Sequence, residues 1–244
     1  MNKSSLDNRK IGLVTGASSE IGGAIAEKLV SMGFFVFAQY SSHVPLLSER
    51  VRDEISLIKV DFLSDKDLDI AIKELLRRAP HFDIIINCAA LHEKYLRKEK
   101  DEYSTFQKVS KVNVFAPLYI VKKLHKKMMN REDPLVVFIS SFYSHKRGSL
   151  LNIFYAATKT SLLTISRILA IEYVPMRSNV IIPGYVNTKT YKKGRSDIDI
   201  KRDIDNSLNG RLVPVIDIVK AVEFVISNKS LNATEIKVDG GLHI

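Results

Sequence analysis

Tyr155 and Lys159 stand four residues apart in the run Tyr155-Ala-Ala-Thr-Lys159. On a helix that spacing puts both side chains on one face, a turn apart. A free tyrosine, with a pKa of about 10, handles protons poorly at neutral pH. An ammonium group held nearby favours the phenolate and is expected to lower that pKa towards the range of a working general acid/base. A core tyrosine beside a snorkelling lysine has the same spacing. The rest of the chain has to decide between them.

A second constellation lies at the N-terminus. The run Lys10-Ile-Gly-Leu-Val-Thr-Gly-Ala-Ser-Ser-Glu-Ile-Gly22-Gly23 passes from a short apolar strand into a turn of small residues, and Ala24, Ile25, Leu29 and Val30 then recur at helical spacing. Free backbone N–H groups at such a helix start favour a pyrophosphate. Glycines in the turn let the backbone approach the phosphates and let strand and helix pack closely.

Both motifs need a scaffold, and the hydrophobic pattern supplies one. Candidate strands are residues 11–14, 34–38, 56–60, 84–87, 135–140, 179–182 and 235–238; helical periodicity dominates 21–32, 67–78, 106–129, 153–173 and 216–227. Pro45 leaves room for only a small helix between the second and third strands. This alternation predicts an α/β chain with one doubly wound, Rossmann-type parallel sheet of about seven strands, helices on both faces and right-handed crossovers. No linker, low-complexity tract or long internal repeat interrupts it, so residues 1–244 read as a single domain. Ligands in such sheets bind beyond the carboxyl ends of the strands. Gly16, Asn87 and Ser141 all fall at or just past strand ends.

The motifs occur in the order of the short-chain dehydrogenase/reductase family, which the chain resembles over nearly its whole length. Thr15-Gly-Ala-Ser-Ser-Glu-Ile-Gly22 is similar to the TGxxxGxG cofactor turn, and Asp61 in KVDFLSD to an adenine-contacting aspartate. Asn87-Cys-Ala-Ala90 is similar to the NNAG segment, Pro183-Gly184 to the PG motif and Asp239-Gly-Gly241 to the DGG motif. Asn113, Ser141, Tyr155 and Lys159 resemble the catalytic tetrad. The resemblance implies hydride transfer between a nicotinamide dinucleotide and a carbonyl or secondary alcohol. In it Tyr155 protonates the developing alkoxide and Ser141 hydrogen-bonds the carbonyl oxygen. Lys159 lowers the Tyr155 pKa and holds the nicotinamide ribose, while Asn113 interrupts its helix and anchors a water relaying protons to Lys159. The implied cofactor contacts are Gly16, Ser18, Ser19, Ile21 and Gly22 in the turn, Tyr40 and Ser41 after the second strand, Asp61 and Phe62 after the third, and Asn87 and Ala89 after the fourth. Tyr155, Lys159, Pro183, Gly184, Val186 and Thr188 complete the set.

Three departures stand out. Glu20 occupies the place of the middle glycine, where a carboxylate repels a pyrophosphate unless it is directed elsewhere. Cys88 and Ala90 replace an asparagine and a glycine, and Ser141 lies one residue further from Tyr155 than is usual. Ala38-Gln-Tyr-Ser-Ser-His43 carries no acid at the end of the second strand, where an acid would bind ribose hydroxyls and repel a 2′-phosphate. With Ser18, Ser19, Ser41 and Ser42 available as donors, NADP(H) is favoured over NAD(H), although no arginine is close in sequence.

Substrate contacts are expected from residues 142–154 and from the lid after Gly184, where Lys189, Lys192, Lys193 and Arg195 cluster. An apolar loop and a basic lid suit an acyl thioester on an acidic carrier or coenzyme A, and so 3-oxoacyl reduction. A sugar, polyol, pteridine or specialised-metabolite carbonyl also fits. The rival from another class is a scaffold or sensor that binds dinucleotide without turnover, to which Glu20 points.

The net charge of +10 over 244 residues comes without a nucleic-acid-binding motif, and Lys122–Arg131 reads as a solvated helix end. Polar first residues and the lack of a long apolar run predict neither a signal peptide nor a membrane span. The lone Cys88, read as an inert core thiol, fits a reducing, cytoplasmic setting. Six scattered histidines imply no metal site. A homo-oligomer, tetramer or dimer, is expected from the resemblance, with residues 106–129 and 153–173 as its interface.

Overall fold

Runs of Ile, Val and Phe that are apolar on both faces can rest only in a sheet covered on both sides. The computed structural model describes residues 6–96, 101–145 and 150–244, and there the strands are β1 (Lys10–Thr15), β2 (Phe34–Tyr40), β3 (Ile55–Lys59), β4 (Ile84–Asn87), β5 (Leu135–Ile139), β6 (Arg177–Pro183) and β7 (Glu235–Val238), with only β3 and β7 half-exposed. They form one parallel sheet in the order β3-β2-β1-β4-β5-β6-β7. Chain order reverses between β1 and β4, which opens the crevice where a ligand is expected.

The helices are α1 (Glu20–Ser31), α2 (Asp65–Arg78), α3 (Glu102–Ser110), α4 (Ala116–Leu124), α5 (Ile153–Glu172), α6 (Lys189–Lys192), α7 (Asp197–Asp205) and α8 (Val215–Ser227). The two-residue period of each strand divides the core. Ile11, Leu13, Phe37, Ile85 and Phe138 pack with α2, α4 and α5 through Leu68, Leu75, Ile120, Leu124 and Leu162. Val14, Val36, Ile84, Ile86 and Val137 pack on the other face with Ile25 and Leu29 of α1 and Ile218 and Val222 of α8.

The periodic stretch 106–129 is not one helix. It breaks into α3, a π-turn at Lys111–Phe115, α4 and a short 3₁₀ turn at His125–Lys127. Asn113, buried in the π-turn, donates to Leu91 O (2.9 Å) and Thr158 Oγ1 (3.0 Å) and accepts from Leu91 N (2.7 Å). These tertiary bonds accompany the local widening of the helix. The segment 44–54 holds only a 3₁₀ turn, Glu49–Glu54, as Pro45 predicts. Two elements are absent from the hydrophobic pattern, α6 and α7. Polar caps define them: Thr188 accepts from Tyr191 N, and Ser196 forms a capping box with Asp199.

The amino edge of the sheet is tied by charges. Arg177, with its side chain 6% exposed, pairs with Asp133 and also donates to the carbonyls of Val225 and Leu231. Asp83 accepts from Ile11 N and Arg131 Nε. The carboxyl edge is left to the loops.

Candidate active site

The β1–α1 turn is set by two close approaches. Gly16 has φ +68°, and a Cβ there would lie 2.7 Å from the Ala89 backbone. A Cβ on Gly22 would lie 2.3 Å from Gly16 O, so neither position admits a side chain. Gln39 completes the turn: its Oε1 accepts from Gly16 N at 2.9 Å and its Nε2 donates to Val60 O at 2.8 Å. Ser19 caps α1 by accepting from Gly22 N. The N–H groups of Glu20 and Ile21 open the helix, where geometry provides no intrahelical acceptor.

A cleft of about 560 Å³ runs across the carboxyl edge from this turn. Its first part is lined by Gly16, Ser18, Ser19 and Ile21, then by Ser41, Asp61 and Phe62, and next by Ala89. Ser141, Tyr155 and Lys159 follow, with Pro183, Gly184, Val186 and Thr188 on the far wall. Four predicted residues do not line it. Gly22 packs behind the turn, Tyr40 and Asn87 stop short, and Asn113 supports the wall through Leu91 and Thr158. Asn87 buries an amide whose nitrogen and oxygen both lack a hydrogen-bond partner.

Ser141 hydrogen-bonds the half-buried Tyr155 phenol. Lys159 Nζ lies 5.6 Å from the Tyr155 ring centroid and donates to Ile139 O at 2.7 Å. Tyr155 titrates against expectation. Burial pushes the Tyr155 phenol above its ordinary pKa, opposed by the Ser141 hydrogen bond and reinforced by Tyr143, Cys88 and Glu93. Burial pushes Lys159 down to about 8. The expected lowering of Tyr155 by Lys159 is therefore reversed, because desolvation dominates and the ammonium sits over the ring, bonded to a carbonyl. Tyr155 is held as the neutral acid.

Glu20 lines the cleft, and its Oε2 accepts the Lys189 backbone N–H at 2.6 Å. The departure from glycine thus ties the β1–α1 turn to the segment after β6. Of the four basic lid residues only Arg195 lines the cleft, and it is engaged with Asp203 and stacked 4.5 Å over the Tyr191 ring. Lys189, Lys192 and Lys193 are exposed away from it, which corrects the expectation that these cations face the substrate as a group. The basic centre of the other substrate loop, Lys146 and Arg147, lies outside the described residues. Cys88 is half-buried and lines the cleft, with Sγ 4.0 Å from Ser19 Oγ, rather than sitting in the core. Burial raises its thiol pKa.

The residues present fit a dinucleotide. Glu20 and Ile21, whose first-turn amides have no intrahelical acceptor, line the cleft, the orphaned Asn87 amide belongs to the residue before the cleft-lining Cys88, and serines rather than acids close the β2 end. Sequence reasoning missed Gln39, whose role is set by side-chain reach across strands. It also missed His92 and Glu93, which approach Tyr155 from a loop without motif; Tyr143 and Tyr185, within the two segments expected to meet substrate, give the cleft an aromatic wall.

Comparison with known proteins identifies the family and the fold. A family model described as short chain dehydrogenase matches residues 10–199. The 3-oxoacyl-(acyl-carrier-protein) reductase FabG of Haemophilus influenzae is 26% identical over 96% of this chain and 98% of its own length. The acetoacetyl-CoA reductase of an Acinetobacter species is 25% identical over 98% of this chain and 100% of its own. Among solved structures, a gluconate 5-dehydrogenase of Burkholderia cenocepacia in complex with NADP and tartrate superposes with a TM-score of 0.83 at 20% identity, covering 96% of this chain and 94% of that one.

Proposed function

The chain belongs to the short-chain dehydrogenase family of oxidoreductases, and from that premise we propose that it reduces a 3-oxoacyl thioester with NADPH. The observation that carries the reading is the convergence of Ser141, Tyr155 and Lys159 on the same cleft as the open N–H groups of α1. Bound there, a reduced nicotinamide dinucleotide supplies the hydride. The chain's own residues orient the substrate and handle the proton. Ser141 positions the carbonyl oxygen beside the Tyr155 phenol, whose raised pKa keeps it protonated and ready to donate as negative charge develops. Lys159, charged below about pH 8, compensates that charge across the Tyr155 ring. Asn113 has its side-chain amide engaged with Leu91 and Thr158, so any water it anchors for Lys159 would rest on the main chain that the π-turn frees.

For the cofactor, Ser18, Ser41 and Ser42 line the end where a 2′-phosphate would lie, with no acid from β2 to oppose it. Thioester reduction is supported by the two curated reductases matched over nearly their full length, and by the apolar walls of Phe142, Tyr143 and Tyr185. The substrate would reach the site on an acyl carrier or coenzyme A. The single free cysteine suits a cytoplasmic setting, and self-association would use the exposed Phe115, Ile168 and Ile171 of the π-turn and α5. Glu20, the feature that favoured a non-catalytic scaffold, has an acceptor role at the lid, and its carboxylate need not close the phosphate site.

Fluorescence titration with NADPH and with NADH, followed by acetoacetyl-coenzyme A reduction, tests the proposal. Selective NADPH binding with turnover supports it. Preference for NADH overturns the cofactor assignment, and cofactor binding without turnover of any carbonyl overturns the enzymatic one.

A further inference from the structure

Helix α5 begins two residues before Tyr155, and a helix start is the least restrained part of a helix because its first N–H groups have no intrahelical acceptor. The first turn of α5 holds no acidic residue of its own to complement the helix dipole. The missing carboxylate arrives from another loop. Glu93 lies in the 3₁₀ turn Glu93–Leu96 after β4, and its side chain is 11% exposed. Its Oε1 accepts from Phe154 N at 3.1 Å and its Oε2 from Tyr155 N at 3.0 Å. One buried carboxylate therefore takes up two first-turn amides, one of them the amide of Tyr155.

The preceding residue holds the other end of the same tyrosine. The His92 ring is stacked on the Tyr155 ring, centroids 4.5 Å apart and planes 13° apart. Tyr143 meets that ring edge-on at 6.3 Å, so the phenol plane is fixed between two neighbours. His92 is kept in place by its own turn, with Nδ1 accepting from Lys94 N at 3.1 Å. The loop after β4 thus touches Tyr155 twice, at main chain and at ring, 62 residues away in sequence.

We propose that Glu93 and His92 are positioning residues that clamp Tyr155: Glu93 anchors the first turn of α5, and His92 sets the plane of the phenol ring. The inference rests on the reading of Tyr155 as proton donor. Proton transfer weakens steeply when donor and acceptor lose alignment. A clamp of this kind governs the proton step through Tyr155: Glu93 stands behind the cleft wall, and His92 lines the cleft beside the ring it holds. Glu93→Ala removes both acceptors. Glu93→Gln keeps the volume and one acceptor oxygen but turns an NH₂ donor towards the second amide.

Hydrogen exchange and steady-state kinetics on the full chain separate the clamp from its consequence, with acetoacetyl-coenzyme A and NADPH as probes. In the wild type the Phe154 and Tyr155 amides are protected, although they open a helix. Glu93→Ala speeds their exchange about tenfold or more, as expected for loss of a hydrogen bond to a charged acceptor. Glu93→Gln exposes one of the two. In Glu93→Ala kcat falls about tenfold, the NADPH dissociation constant stays put, and the solvent deuterium isotope effect on kcat rises because proton transfer becomes limiting. His92→Ala lowers kcat about fivefold with both amides still protected, and His92→Phe, which keeps a flat ring, restores it. Unprotected amides in the wild type, or protection unchanged in Glu93→Ala, would overturn the anchor. Lost protection with unchanged kcat and isotope effect would overturn its role in positioning. Should Glu93→Ala not fold, Glu93→Gln carries the same comparison. A wild type that turns over no acetoacetyl-coenzyme A overturns the reductase reading, while the exchange data still decide the anchor.

Discussion

Replacing Lys159 by Met should make the chain more stable and inactive. Lys159 is 2% exposed, and its pKa falls from 10.5 to about 8 on burial. A depression of about 2.5 pH units corresponds to ~3 kcal/mol by which the charged lysine opposes folding. Methionine removes that charge at similar volume but gives up the hydrogen bond to Ile139 O, worth ~1 kcal/mol. The net gain at pH 7 is ~2 kcal/mol. The sign with pH follows from the direction of the shift. Below about pH 8 the lysine is protonated in both folded and unfolded chains, and the penalty is complete. Between about 8 and 10.5 the folded chain has lost the proton that the unfolded chain keeps, and the penalty disappears. Urea unfolding of both proteins at pH 7 and above pH 9 measures this. A variant more stable at pH 7, with the gap narrowing in alkali, is the expected result. A variant less stable than wild type at pH 7, or a gap that ignores pH, would refute the account of Lys159 as a desolvated cation.

Three further outcomes are expected. Tyr155→Phe should lower kcat by about two orders of magnitude or more while NADPH affinity stays near wild type, since only the proton donor is removed. Glu20→Ala should tighten NADPH binding about threefold in a fluorescence titration, because a carboxylate leaves the start of α1; weaker binding would mean that the contact to Lys189 N matters more than the charge. The pH profile of kcat/KM for NADPH, which reports the free enzyme, should fall above about pH 8 as Lys159 loses its proton, with no alkaline gain from Tyr155 at that point.

Much of this was legible before any coordinates. Two strands have the bounds that the hydrophobic pattern gives them: Ile84–Asn87, buried throughout at the centre of the sheet, and Glu235–Val238, a half-exposed edge strand in which polar and apolar residues alternate. Most motif residues line one cleft because Gly16, Asp61, Ala89, Ser141 and Pro183 fall at or just past strand ends of a single parallel sheet, and α5 brings Tyr155 and Lys159 beside them. Three things were hidden. The resemblance implies a break at Asn113, but its form, a π-turn in which Asn113 bonds Leu91 and Thr158 far along the chain, was not visible. Helices α6 and α7 are held by polar caps and carry too few apolar positions to show a period. The direction of the Tyr155 pKa depended on burial and on where the Lys159 nitrogen points, and spacing alone speaks to neither. Glu93 and His92 belong to no pattern, and only their approach across the cleft gives them meaning.

The ties at the amino edge of the sheet divide the molecule's risks. Arg177, Asp133, Asp83 and Arg131 fasten strands, helix ends and loops together on the side opposite the cleft. Among the described residues, the lid and the turns after β4 and β5 contribute none of those fastenings. Cleft-facing side chains there that carry no such tie, Tyr143 and Tyr185 among them, can therefore be exchanged while the opposite rim holds. A lineage built on this plan could try new substrates by rewriting loops on one rim, while the other rim keeps the inherited architecture intact.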